Sequence, residues 1–141
     1  MSVERLIQDG KIRPFNATED EIRRTFEIAR RDLSLAKRIL DESLDWCFSI
    51  AYNSVLQACR SYMFHLGYRP SAIESHKTVF EFIELMVEAP YKETVLYFDR
   101  VRRKRHRTIY DEVGLVSRKE AEELLEAAEE FIAYIEKSIK K

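Results

Sequence analysis

Between Asp99 and Tyr110 the chain reads Asp-Arg-Val-Arg-Arg-Lys-Arg-His-Arg-Thr-Ile-Tyr, which puts guanidinium groups, an imidazole, a phenol and one carboxylate within about three helical turns. Arginine binds phosphate through a planar fork, and histidine exchanges protons near neutral pH. Together they can cleave RNA without a metal. A base takes the 2′-hydroxyl proton, and arginine stabilises the charge that builds on the phosphorus oxygens. On a helical projection Phe98, Val101, Arg105 and Ile109 share one stripe about 80° wide, so Arg105 is the cation on a core-facing surface. Its guanidinium stays charged, and burying it calls for a carboxylate, several carbonyls or a ligand phosphate. Beside that stripe Asp99, Arg103, His106 and Tyr110 fall within about 60°, with Arg102 between them and Arg105.

Two readings of this surface stand side by side. In one, Arg105 and His106 act on a phosphodiester while Arg100, Arg102 and Arg103, helped by His76 and Lys77 at the start of the preceding helix, bind RNA or a nucleotide and Asp99 orients an arginine. In the other the same groups form a structural network, with Asp99 paired to Arg102 or Arg103 and with His106 and Tyr110 bonded to a neighbouring helix or a second subunit. Arg100, Lys104 and Arg107 point elsewhere and also suit a solvated face paired with acidic neighbours.

The elements that must position these groups are helical throughout. The 141 residues, 45% hydrophobic, suit one domain with one core. Breaks fall at Gly10 and Pro14, Gly67 and Pro70, Pro90, and Gly114. Thr18-x-x-Glu21 is a capping box that opens a first helix running to about Leu40. Leu44 to Leu66 is a second helix, apolar almost all round and therefore central, whose polar residues Asn53 and Arg60 must find partners. A third helix runs from about Ser75 to Val87, and a fourth from Pro90 to about Glu112 carries the basic run. Ser117-x-x-Glu120 caps a final helix. The expected fold is all-α, an up-and-down bundle of about five helices, with residues 1–16 as an N-terminal arm, residues 17–141 as the single domain, and no segment reading as a strand.

Composition narrows the classes further. Lys+Arg 24 against Asp+Glu 25 gives a net charge of -1, so attraction to a polyanion must come from local asymmetry. No apolar run approaches the roughly 20 residues that span a bilayer, and the first residues lack a signal-peptide pattern, so a soluble, cytoplasmic protein is expected. Cys47 and Cys59 lie roughly 18 Å apart along one helix and read as reduced core thiols. His65, His76 and His106 are scattered without CxxC pairs, so neither a metal site nor a cofactor is expected.

Several of these segments, taken in order, resemble one family. The helix Arg31-Asp32-Leu33, the helix Leu44-Asp45-Trp46-x5-Tyr52-Asn53-x4-Ala58 ending at Gly67-Tyr68-Arg69-Pro70, the following His76-Lys77 and the Arg-rich fourth helix together resemble the HEPN domains, small α-helical proteins of prokaryotic toxin-antitoxin and defence systems. Active members carry an arginine followed by a polar residue and then a histidine, with four to six residues between arginine and histidine, placed twice across a homodimer. Two alignments compete. Arg100 with His106 meets the spacing, but the two side chains stand about 120° apart. Arg105-His106 followed by Tyr110 fits the frame better and explains why Arg105 faces inward, with Tyr110 standing where the histidine belongs. A tyrosine near its reference pKa of about 10 is a poor base at pH 7, which leaves His106 to replace it or the nuclease to be lost. The resemblance therefore implies a homodimer that binds RNA or a nucleotide, with a metal-independent endoribonuclease as its catalytic form. Its alternative is an inactive subunit that docks a partner such as a small nucleotidyltransferase.

Overall fold

The computed structural model describes residues 1–72 and 75–141. Among them lie six helices, α1 (Val3–Gln8), α2 (Glu19–Arg38), α3 (Leu44–His65), α4 (Ser75–Met86), α5 (Ala89–Tyr110) and α6 (Arg118–Lys140), and two short strands, β1 (Ile12–Pro14) and β2 (Tyr68–Pro70). Both expected capping boxes form. Thr18 Oγ1 accepts from the Glu21 amide at 3.0 Å and Ser117 Oγ from the Glu120 amide at 3.1 Å, each glutamate returning a bond to the capping backbone. Gly67 ends the last turn of α3 at φ 95°, a left-handed conformation that costs glycine little.

Helix α3 is the centre of the bundle, packed by α2, α4, α5 and α6. Its direction is opposed to α2, because Asn53 reaches Asp32 at one end while Ser61 bonds the Ile22 carbonyl at the other. Helix α6 also opposes α2, through the pairs Arg30–Glu136 and Lys37–Glu129, and α5 opposes α6, through the ring pairs Tyr91–Tyr134 and Phe98–Phe131. So α2, α3, α5 and α6 alternate in direction. The largest fully buried side chains include Tyr52, Phe80, Phe82, Phe98 and Phe131, and both cysteines are buried and free. No helix is long and apolar enough to cross a membrane among the described residues.

Two features differ from the expectations above. The strands escaped a reading by periodicity because each has three residues and ends in proline, too short for alternation to register. They pair antiparallel, Ile12 with Pro70 and Arg13 with Arg69, which ties the first residues to the turn after α3. The N-terminal segment, expected as an arm, carries a helix capped by Ser2, and it sets Leu6 and Ile12 into the main core. Trp46, in the first turn of α3, is 57% exposed.

A fully buried Leu6 makes a specific demand on stability. Leu6→Ala is expected to cost about 2–5 kcal/mol in urea unfolding, whereas Ile7→Ala, at an exposed site on the same helix, stays within about 0.5 kcal/mol. Equal, small effects would mean that the segment is an appendage.

Candidate functional site

Helix α5 sits with its C-terminal half against the N-terminal half of α3, and this crossing sorts the basic residues. Arg105 turns inward as its place on the stripe requires. Its Nε donates to Ser49 Oγ at 3.2 Å, and its guanidinium lies over the Tyr52 ring, 5.4 Å from the centroid. A buried serine hydroxyl and an aromatic face therefore receive this charge, and no carboxylate pairs with it among the described residues. Tyr52 is buried and extends toward α4, where its hydroxyl lies 3.0 Å from His76 Nδ1.

The protonation states follow from those contacts. Burial pushes the Tyr52 hydroxyl well above its ordinary range, against the opposing pull of Arg105 and Arg102, so it keeps its proton, and His76 Nδ1 is the one acceptor that proton meets among the described residues. His76 is held below the ordinary 6.5 by partial burial first and then by the charges of Arg105, Arg60 and Arg102. Neutral at pH 7 and accepting at Nδ1, it carries its proton on Nε2. His76 thus serves as a hydrogen-bond donor toward solvent. Its ring remains exposed, so this depression is worth little to folding.

Arg102 lines the same place from α5. Its Nε donates to Asp99 Oδ1 at 2.8 Å, and the second oxygen of Asp99 faces Arg103 at 3.9 Å, so Asp99 orients both arginines as its spacing suggests. Between α5 and the start of α4 lies a hollow of about 250 Å³ lined by Ala72, Ser75, His76, Lys77 and Arg102. Three of these five residues are basic or imidazole side chains, and none is acidic among the described residues. The structure thus brings Arg102, Arg105, His76, Lys77 and Asp99 into one neighbourhood through Tyr52.

It leaves the other candidates apart. Arg100 faces α6, over the Tyr97 ring at 5.9 Å and beside Glu120 and Glu123, while Lys104 forms an ion pair with Glu120. Arg100 therefore stands away from His106. His106 and Tyr110 are exposed on the outer side of α5, their ring centroids 4.8 Å apart, and neither bonds another side chain among the described residues. His65, read as a core or helix-end histidine, is exposed as the last residue of α3 and stacks on Tyr62. The sequence did not mark Ser49 or Tyr52 as partners of Arg105. The signal was available in register alone, since both lie one turn apart on α3, but nothing in a linear pattern says which helix α5 crosses.

The tautomer has a direct consequence. The His76 imidazole is expected to titrate below 6.5 in a two-dimensional NMR pH series, and inorganic phosphate should move its midpoint upward. Because the unfolded chain then binds its proton first, His76 contributes stability that fades as pH falls through 6.5 toward the folded midpoint. A midpoint above 6.5 without phosphate would contradict the burial and the arginine charges assigned to this ring.

Comparison with known families identifies the domain. The HEPN domain family model matches residues 22–138, which takes in α2 to α6 and every residue placed in the hollow. No curated protein matches the chain. With the match covering most of its length, this chain belongs to the HEPN domain family.

Proposed function

We propose that the protein binds RNA, or a nucleotide, through the α5 face and the adjoining start of α4. One observation carries this reading: Arg105 is held at the α3–α5 crossing by a hydroxyl and a ring with no carboxylate, next to Arg102, His76 and Lys77. A cation so placed has no carboxylate partner among the described residues, and a phosphate supplies one. HEPN domains point to nucleotide- and RNA-related functions, which agrees with that chemistry.

The catalytic form of the reading is a metal-independent endoribonuclease. Arg105 and Arg102 steady the phosphorus oxygens, and the proton passes through His106, which with Tyr110 occupies the exposed edge of the same helix. His76 is the weaker base because its Nδ1 is already engaged by Tyr52. A homodimer completes the arrangement by setting two such edges together. The apolar surface of α3 is consumed inside the bundle and offers no dimer face. A different patch takes its place: Trp46 at 57% exposure, Tyr110 at 67% and Val113 at 89%, with the α3 start and the turn after α5 joined by Asp45 accepting from the Gly114 amide at 2.8 Å. That patch equally favours the second reading, a non-catalytic subunit docking a partner protein such as a nucleotidyltransferase.

End-labelled RNA in EDTA separates the two. Wild-type protein is expected to release fragments ending in 2′,3′-cyclic phosphate, with Arg105→Ala and His106→Ala slower by about 10²–10⁴-fold at unchanged helical circular dichroism. Intact RNA with wild type, and no salt-sensitive RNA binding, would leave the docking role. Light scattering at micromolar concentration should give twice the chain mass, and Trp46→Lys should return it to monomer. A monomeric wild type would remove the dimer from the mechanism.

A further inference from the structure

A second cationic pocket shares His76 with the α5 hollow and is built around arginines that the α5 reading does not use. It has a volume of about 300 Å³ and is lined by Arg13, Asn53, Gln57, Arg60 and Arg69 with Leu56, Val79 and the Pro70–Ala72 turn, and it meets the α5 hollow at Ala72, Ser75 and His76. Among the described residues none of its lining side chains is acidic. Neither Arg13, Arg60 nor Arg69 forms an ion pair among the described residues, although most arginines of α2 do.

The arginines are held in place by neutral groups. Asp32, buried on α2, accepts from Asn53 Nδ2 at 2.6 Å; Asn53 Oδ1 accepts from Gln57 Nε2 at 3.3 Å; Gln57 Oε1 accepts from Arg60 Nη1 at 2.8 Å. This chain fixes Arg60 from behind, and the Phe64 ring supports its guanidinium at 5.4 Å. Arg69 rests on the Phe15 ring at 5.0 Å, and the β1–β2 pairing sets Arg13 opposite Arg69. Arg60 is half-buried, and its pKa is lowered by burial first and by the charge of Arg69 next, which shows the two cations within electrical reach of each other. Two aromatic supports and a relay of amides anchored on Asp32 thus hold like charges together, with no carboxylate in direct contact with them among the described residues.

We infer that this pocket binds a phosphate monoester carried on a nucleoside, the chemistry shared by a free mononucleotide and by a phosphorylated RNA end. Three guanidinium groups without a carboxylate favour a dianionic monoester over the monoanionic diesters of an RNA backbone. The volume lies at the lower edge of small-molecule sites, and Leu56, Val79 and Pro70 give it apolar wall for a sugar or base. From this pocket an RNA strand would pass His76 to reach α5.

The test is fluorescence anisotropy with a short RNA bearing a 3′ dye and either a 5′-phosphate or a 5′-hydroxyl, with adenosine 5′-monophosphate and inorganic phosphate as unlabelled competitors. Wild type is expected to prefer the 5′-phosphate by about tenfold, and Arg60→Gln and Arg69→Gln to abolish the preference. Arg69 is exposed, so its variant keeps the test valid if Arg60→Gln fails to fold. Arg102→Gln should weaken both RNAs in parallel and keep the preference, so failure of the α5 reading and failure of this one look different. Preference for the 5′-phosphate identifies an RNA end as the source; competition by the mononucleotide without that preference identifies free nucleotide. Equal affinity for both RNAs with no mononucleotide competition, inorganic phosphate competing as well as the mononucleotide, or a preference that survives both arginine variants would overturn the proposal.

Discussion

Helix α3 cannot face water along most of its length, and that constraint organises the molecule. A helix with so little polar surface is stable only when other helices wrap it, and the amphipathic stripes of α2, α4, α5 and α6 supply the cover. The few hydrogen-bonding side chains that α3 carries toward the groove are not scattered. Ser49, Asn53, Gln57 and Arg60 recur at helical spacing and fall within about 80° of one another. Each has a partner: Ser49 holds Arg105, Asn53 holds buried Asp32, and Gln57 joins Asn53 to Arg60. The polar seam that the core must satisfy therefore runs from the Arg105 support into the Arg60 pocket.

Charge is distributed by the same logic. On the α2–α6 side arginines and lysines meet carboxylates, as in Arg30–Glu136, Lys37–Glu129 and Arg118 with Asp41 and Glu122. Such exposed pairs add little to stability, but they cancel the field on that face. Along the seam the cations meet hydroxyls, amides and aromatic rings, which orient a guanidinium without neutralising it. A chain of net charge -1 can in this way present a positive face. The potential reaches about 8 Å at physiological salt, enough to span from one pocket to the other across the His76 ring.

How far the sequence could be read depended on the range of each interaction. Capping boxes, Gly67 and the period of the long helices are local signals, and they set five helices to within a few residues. The inward turn of Arg105 was legible too, because helical azimuth needs only spacing. What Arg105 would meet was not, since Ser49 and Tyr52 are reached only once α5 crosses α3. The same holds for Arg13 and Arg69, brought opposite each other by a strand pair too short to read. Asn53 and Arg60 stood out as polar residues on an apolar helix, but the relay between them needed Asp32 from another helix. In each case the legible part was the anomaly, and the illegible part was its partner.

His76 gives these separate groups a common point. Its ring forms a wall of both pockets, and its Nδ1 is tied to Tyr52, the residue that supports Arg105. An anion on either side would favour the protonated ring, but protonation would turn Nδ1 from acceptor to donor and remove the bond that Tyr52 now makes to it. Tyr52 is fully enclosed and pushed strongly toward its neutral form, so its hydroxyl would have to turn and accept instead. Rotation of one hydroxyl hydrogen is enough for that exchange, without movement of any helix. Occupancy of the hollow would thus be felt at the Arg105 support through a proton and a hydroxyl rotor, which lets a rigid bundle respond to charge while its core stays packed.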